Sequence, residues 1–256
     1  MKFSTKSRSC AFLAAALLSL TLGAALRVQG QDKAASTALP SADDVVKHYV
    51  KAIGGEDAWH KITSRQLIGT IEIPAMSISG TFESHEKAPN KMLSVVVVAG
   101  ATFRRGFDGT VAWADDPQNG LRDVTGPEFD DTKREADFYR PLDLQKTYSK
   151  LTVTGTDKVG DRDAYVVEAA LPGGDSDKLF FDAQSGLLVK SIGQEHTPQG
   201  ALTVTIALGD YRDTDGVKMP FTIHQSNPQN EFDIKFTEVH HNVPFDDAQF
   251  GKPAAQ

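Results

Sequence analysis

Histidine is the residue type in this sequence with the most obvious capacity to bind a metal ion, and the chain contains seven. His240 and His241 are adjacent, but neighbours on an extended strand point to opposite faces and cannot ligate one ion. The others are widely separated: His48, His60, His85, His196 and His224. Neither H-x-x-x-H nor H-E-x-x-H occurs, although these spacings place two imidazoles on one helix face. We therefore predict no metal site and no cofactor.

Nucleophilic and acid–base chemistry have equally little support. The sequence contains no G-x-S-x-G elbow and no glycine-rich phosphate loop. Acidic pairs occur at 115–116, 130–131 and 246–247, in predicted loops or helix starts, where solvated charge is expected rather than a glycosidase pair. Asp213-Thr214-Asp215-Gly216 lacks the later oxygen ligands of a calcium loop and predicts a hairpin turn. We predict a protein that is not an enzyme and has no catalytic residues.

The first 30 residues have the organisation of an export signal. Lys2, Lys6 and Arg8 precede an apolar stretch over 11–26, which is shorter than the roughly 20 residues needed to span a bilayer. Cleavage is predicted before Gln31. The only cysteine, Cys10, lies near the start of the apolar stretch, which argues against a lipid anchor. The mature protein is therefore expected in the periplasm, or secreted, without a transmembrane segment.

Charge excludes some partners. The signal carries four of the 27 basic residues and none of the 34 acidic ones, so the mature chain has 23 basic residues and an excess of eleven negative charges. Nucleic acids and anionic membrane surfaces are bound through basic patches, so we expect neither partner. Residues 31–40 predict a flexible leader. Residues 41–256 have a length that one all-β domain can reach, and we expect a monomer.

From residue 64 to residue 240 the chain alternates apolar and polar side chains. Within 76–83, Met76, Ile78 and Phe82 fall on one face and polar residues on the other, a pattern typical of a half-buried strand. The predicted strands are 65–73, 76–86, 91–98, 101–107, 110–114, 151–156, 162–171, 178–182, 187–195, 201–212, 217–226 and 231–240. We predict a mainly β fold, an incomplete antiparallel β-barrel or strongly curved sheet.

Two segments depart from the strand pattern. Ser41 is a good N-cap, Gly54-Gly55 ends the helix that it starts, and the apolar residues between recur at helical spacing: Val45, Val46, Tyr49, Val50 and Ile53. Residues 127–150 are charged, and Pro141 divides them into two helices. We expect these helices to pack on, or lid, the concave face of the sheet. Phe245 and Phe250 are expected to pin the C-terminal tail to the domain.

The strand faces also indicate a candidate site. Strict alternation turns eight apolar side chains to one side: Phe82, Leu93, Val95, Val97, Phe103, Phe107, Val111 and Trp113. They either fill a core or leave a cavity that accepts an apolar guest. For the cavity we predict a ligand-binding set consisting of Phe82, Val95, Phe103, Arg105, Phe107 and Trp113. Arg105 faces the same side, and it needs an anionic partner from the protein or from a lipid head group.

Several motifs carry a family resemblance. They are Ala52-Ile53-Gly54-Gly55, Phe107-Asp108-Gly109 leading to Trp113, Lys178-Leu179-Phe180-Phe181-Asp182 followed by Gly186-Leu187-Leu188-Val189, Asp210-Tyr211-Arg212 with Asp215-Gly216-Val217-Lys218-Met219-Pro220, and Asn242-Val243-Pro244-Phe245-Asp246. Together they resemble exported bacterial proteins of the outer-membrane lipoprotein carrier (LolA-like) superfamily, over nearly all of the mature chain. The resemblance implies an unclosed antiparallel barrel, lidded by helices, that holds acyl chains. No functional residue of the family matches position by position.

We therefore expect a non-enzymatic binding or carrier protein of the bacterial cell envelope. Its partner would be a lipid or an acylated protein, and it could also contact other envelope proteins. Two alternatives stay open at this point. One is a structural or interaction protein with a filled core, and the other is a secreted hydrolase, which a deep polar cleft with paired carboxylates of raised pKa would favour.

Overall fold

Thirteen antiparallel strands form one sheet in the computed structural model, which describes residues 38–254. The strands are β1 (Ser64–Ile73), β2 (Ile78–Lys87), β3 (Lys91–Val98), β4 (Ala101–Phe107), β5 (Ala112–Asp116), β6 (Gly120–Asp123), β7 (Lys150–Val159), β8 (Arg162–Ala170), β9 (Ser176–Asp182), β10 (Leu188–Thr197), β11 (Gly200–Thr214), β12 (Val217–Ser226) and β13 (Glu231–His241). The predicted mainly β, antiparallel class is confirmed. The predicted signal and residues 31–37 of the leader lie outside the described residues.

The order of strands across the sheet is β6-β5-β4-β3-β2-β1-β13-β12-β11-β10-β9-β8-β7. The first strand pairs with the last in the middle of the sheet, so β6 and β7 are its two edges. Within residues 38–254 these edges do not pair with each other, and the sheet is not closed. The chain crosses from one edge to the other through α3 (Pro127–Glu135) and α4 (Leu144–Thr147), which are the two helices predicted in this segment.

All twelve predicted strands are present, and their ends differ from the prediction by a few residues. Strand β5 begins at Ala112 rather than 110, because the Asp108 carboxylate accepts hydrogen bonds from the Thr110 and Val111 N–H groups at 2.8 and 2.7 Å and holds them in a turn. Pro74–Met76 form a 3₁₀ turn ahead of β2, since proline supplies no ladder donor. Strand β6 was not predicted, because four residues are too few to display alternation.

Helix α1 (Ala42–Ala52) covers part of one sheet face, which we call the inner face, and the short helix α2 (Glu56–Trp59) follows it. Ser41 caps the helix, its Oγ accepting from the Asp44 N–H at 3.1 Å. The buried stripe of α1 packs on strand residues, with the Tyr49 and Phe181 ring centroids 5.3 Å apart. The helix ends before Gly54, where φ is +113° and a Cβ would lie 2.5 Å from the Gly216 carbonyl oxygen. The predicted N-cap and glycine stop are both confirmed.

The C-terminal tail packs on the opposite, outer face, as predicted from its two phenylalanines. Phe250 is fully buried, and its carbonyl accepts a 2.9 Å hydrogen bond from the Trp113 indole N–H. The Phe245 ring stacks on His85 with centroids 4.7 Å apart. The Trp113 indole lies across Gly106, where a Cβ would be 2.4 Å from the ring. A side chain at position 106 would therefore displace the residue that anchors the tail.

We predict that Gly106→Ala destabilises the fold by about 1–3 kcal/mol, because the added methyl group overpacks the site against Trp113. The measurement is the free energy of unfolding in urea. Gly155→Ala is the matched control, since Gly155 also lies in a strand but a Cβ there meets nothing within 4 Å. Equal stability of the two variants would show that the indole has room to move.

Candidate functional site

Cross-strand pairing identifies which predicted site residues share the inner face, because directly opposed residues project to the same side. Phe82 pairs with Val96, and Val96 pairs with Phe103. Phe82 and Val96 pack against the same apolar cluster as α1, so this line of residues is on the inner face. Alternation along β4 adds Arg105 and Phe107. The structure thus brings four of the six predicted residues to one face.

Val95 and Trp113 do not join them. Val95 pairs with Arg104, and Trp113 pairs with Gly106, so both belong to the outer face. Because the loop between Val98 and Ala101 has two residues, each odd-numbered residue of β4 pairs with an even-numbered residue of β3 and lies on the same side of the sheet. The prediction had grouped odd-numbered residues on both strands. Trp113 is 1% exposed because the tail covers it.

A groove of about 520 Å³ runs along the inner face. Its apolar lining includes Ile71, Val96, Val98, Phe103 and Phe232, and the β10–β11 hairpin forms its far wall. Of the predicted set, Phe103 and Arg105 line this groove. Phe107 is instead buried against the Phe129 ring at 5.9 Å, and Phe82 packs on Phe236 at 5.7 Å. Assigning the even-numbered residues of β3 to the inner face would have identified Val96 and Val98 as groove residues from the sequence.

Helix α3 lies beside this groove and is tied to distant parts of the sheet. The Arg105 guanidinium on β4 donates to Thr132 Oγ1 at 3.1 Å and lies 3.3 Å from Glu135. On β10, the His196 backbone N–H donates to Asp131 at 2.8 Å, and its ring Nδ1 lies 2.9 Å from the same carboxylate. Six strands separate β4 from β10 in the sheet. One short helix therefore contacts both halves of the sheet.

A second cavity of about 250 Å³ adjoins the groove, and we call it the chamber. Charged side chains and aliphatic side chains both line it. Arg105 and Glu195 line both cavities. The chamber is also lined by Asp177, whose carboxylate accepts a 2.6 Å hydrogen bond from the Tyr148 hydroxyl. Burial raises the pKa of Tyr148, and the Asp177 charge acts in the same direction. The hydroxyl therefore stays a donor at neutral pH.

Glu195 is a chamber carboxylate without an ion-pair partner among the described residues. Burial raises the pKa of its carboxyl, the Arg105 charge opposes that rise, and the carboxylates of Glu135 and Asp131 add to it. Its hydrogen bond from Gln225 is long, at 3.4 Å. Ionised Glu195 therefore lies in surroundings that favour its neutral form, which is unusual for a residue with only a structural role.

We predict that Glu195→Gln stabilises the protein at pH 7. A carboxyl whose pKa is raised on folding binds its proton more tightly in the folded state, so its ionised form destabilises the fold above the ordinary glutamate pKa of 4.5. The stability gain of the variant should shrink as pH falls and vanish below that value. Urea unfolding between pH 3.5 and 8 checks this, with the exposed Glu168→Gln as control. A loss of stability at pH 7 would contradict it.

Among residues 38–254, no group of three or more histidine, cysteine, aspartate or glutamate side chains has an arrangement able to hold a metal ion. In the same range no helix combines the length and apolarity required to cross a membrane.

An unclosed antiparallel sheet with short helices on its inner face defines the fold, and three solved structures share it. A DUF1329 family protein from Desulfovibrio piger has a TM-score of 0.55 at 12% identity, covering 82% of this chain and 97% of that one. A LolA superfamily protein from Nitrosomonas europaea has a TM-score of 0.54 at 11% identity, covering 84% and 99%. A domain provisionally assigned to outer-membrane lipoprotein sorting, from Vibrio parahaemolyticus, has a TM-score of 0.51 at 13% identity, covering 82% and 97%.

These likenesses confirm the predicted resemblance to the LolA-like superfamily at the level of the fold. At such low identity they define the architecture and leave function to be argued from the site. No protein-family model matches this sequence, and no curated protein sequence matches it.

Proposed function

We propose that this protein is a periplasmic, non-enzymatic carrier that binds an acyl chain in the groove of the inner face. The observation that carries the proposal is the groove itself, a volume of about 520 Å³ in which a continuous apolar patch is bordered by polar and charged side chains. The patch consists of Ile71, Val96, Val98, Phe103 and Phe232. Ligand sites typically have volumes of about 300–1,000 Å³. The acyl chain could belong to a free lipid or to a lipoprotein. The sheet would form an incomplete barrel around the chain.

The energetics favour an apolar guest. Val96, Val98, Phe103 and Phe232 are only partly buried, so the groove leaves apolar surface in contact with water. An acyl chain gains about 0.8 kcal/mol for each CH₂ group removed from water. A chain of ordinary length would thus bind strongly without a specific polar contact.

We predict that Val98→Asn weakens acyl binding by about tenfold or more, because it places an amide against the hydrocarbon chain. Val97→Asn is the matched control, since Val97 is the adjacent residue on the outer face and is 39% exposed. The measurement is displacement of a fluorescent fatty acid from each folded variant. If both variants bind the fatty acid equally weakly, the substitutions have caused a general loss of structure. If Val98→Asn binds it as tightly as the wild type does, the ligand lies outside the groove.

We expect helix α3, which borders the groove, to move when a ligand enters. Thr132 is fully buried, accepts from Arg105 at 3.1 Å and donates to the Glu128 carbonyl at 2.8 Å. This hydroxyl joins the helix to strand β4. Ligand binding would shift the population between closed and open positions of α3, because the filled and empty grooves favour different positions.

Thr132→Val should loosen α3, since the nearly isosteric side chain cannot accept the Arg105 hydrogen bond. We expect faster amide hydrogen exchange over Pro127–Glu135 and several-fold faster ligand release. Thr147→Val is the control, because Thr147 makes the same bond to a carbonyl four residues back, to Asp143, within α4. If amide exchange over Pro127–Glu135 and the rate of ligand release are unchanged in Thr132→Val, movement of α3 is not needed for ligand entry.

One observation favours a second candidate, a hydrolase. Glu195 has a raised pKa and shares the chamber with Asp177, an arrangement that acid–base catalysis uses. A fluorescent fatty-acyl ester distinguishes the candidates, because it has a bond that water can cleave. A carrier returns the ester intact, whereas a hydrolase releases the fatty acid and the alcohol.

A further inference from the structure

The groove and the chamber each have an apolar part, and polar side chains separate the two. The apolar part of the chamber consists of five aliphatic side chains: Leu144, Leu179, Leu188, Val204 and Ile206. Leu188 and Ile206 are only partly buried, so the chamber also leaves apolar surface in contact with water. Arg105 and Glu195 line both cavities and therefore lie at the boundary between them.

Strand register connects the two apolar parts along one row of the inner face. Directly opposed residues on neighbouring strands project to the same side of a sheet. From β9 to β13 the opposed residues are Leu179, Ser191, Ile206, Gln225 and Phe232. Leu179 and Ile206 line the chamber, and Phe232 lines the groove. The row therefore leads from the chamber to the groove, and Gln225 is the polar residue between Ile206 and Phe232.

Gln225 and Glu195 form the boundary together, and we call this pair the partition. The Gln225 amide on β12 donates to the Glu195 carboxylate on β10 at 3.4 Å. Both side chains are partly buried. A hydrocarbon chain that passed between the groove and the chamber would remove the amide and the carboxylate from water and offer neither of them a hydrogen bond. The partition therefore opposes the passage of an acyl chain.

We propose that the partition sets the length of the acyl chain that this protein accepts, by ending the chain in the groove and excluding it from the chamber. This inference rests on the proposed function and specifies the chain-length selectivity of the same site. Each CH₂ group buried in the groove tightens binding about fourfold. A CH₂ group beyond the partition gains nothing, because the extra carbons of a longer chain stay in water.

The test measures the affinity for saturated fatty acids with even numbers of carbons from eight to eighteen, each below its micelle concentration, by displacement of a fluorescent fatty acid. We expect the wild-type affinity to rise with chain length up to a limit and then to stay constant. Gln225→Leu makes the row apolar from Ile206 to Phe232 and should move this limit to longer chains. For the first fatty acid beyond the wild-type limit, the variant should bind about tenfold more tightly, the effect of two more buried CH₂ groups.

Gln229→Leu is the matched control, because it makes the same substitution at an exposed residue between β12 and β13 and should keep the wild-type limit. Glu195→Leu removes the other half of the partition and should move the limit in the same direction as Gln225→Leu. Urea unfolding shows which variants are folded, and Glu195→Leu carries the test if Gln225→Leu does not fold.

Three results would overturn the partition and leave the carrier function in place. They are a wild-type affinity that rises without a limit through eighteen carbons, a limit that no folded partition variant moves, and an equal shift of the limit in Gln229→Leu. If the wild type binds none of the fatty acids, both the partition and the carrier function are overturned.

Discussion

The pairing of the first strand with the last is the constraint on which the rest of the structure depends. β1 and β13 are the first and last strands in the sequence, and they form an antiparallel hydrogen-bonded pair along most of β1. This pairing leaves β6 and β7 as edges, so the connection between them must cross from one end of the sheet to the other. Helix α3 lies on that connection and contacts β4 and β10 through side chains. The groove lies where this helix meets the inner face, lined by Glu128 of α3 and by the β10–β11 hairpin.

Two features of the inner face cost stability. The lining of the groove leaves apolar side chains partly in water, and the chamber holds two carboxylates, Asp177 and Glu195, without ion-pair partners among the described residues. Each is unfavourable in the empty protein. The two features adjoin one another at Arg105 and Glu195. Local departures of this kind are expected at functional sites.

Much of the architecture was predictable because strand alternation and turn residues act locally. Twelve of the thirteen strands, the Ser41 cap, the Gly54 stop and the tail phenylalanines were identified from short stretches of sequence. The candidate site was predicted only in part. Phe103 and Arg105 line the groove, but Val95 and Trp113 face the other side, because a loop of two residues reverses the parity between β3 and β4. The carboxylates Asp177 and Glu195 were not identified, since they lie far from β4 in the sequence.

The sequence by itself determined the period of the twelve predicted strands, the turns between them, the helix that follows Ser41 and the helical character of residues 127–150. These features depend on the types of side chain within a short stretch of sequence. Only the tertiary structure decided which faces meet across hairpins and which distant residues share a cavity. Register is a relation between strands, and a shift of one residue moves every side chain to the other face. For that reason Glu195 and Arg105, 90 residues apart in number, could be recognised as neighbours only once the sheet and α3 were in place.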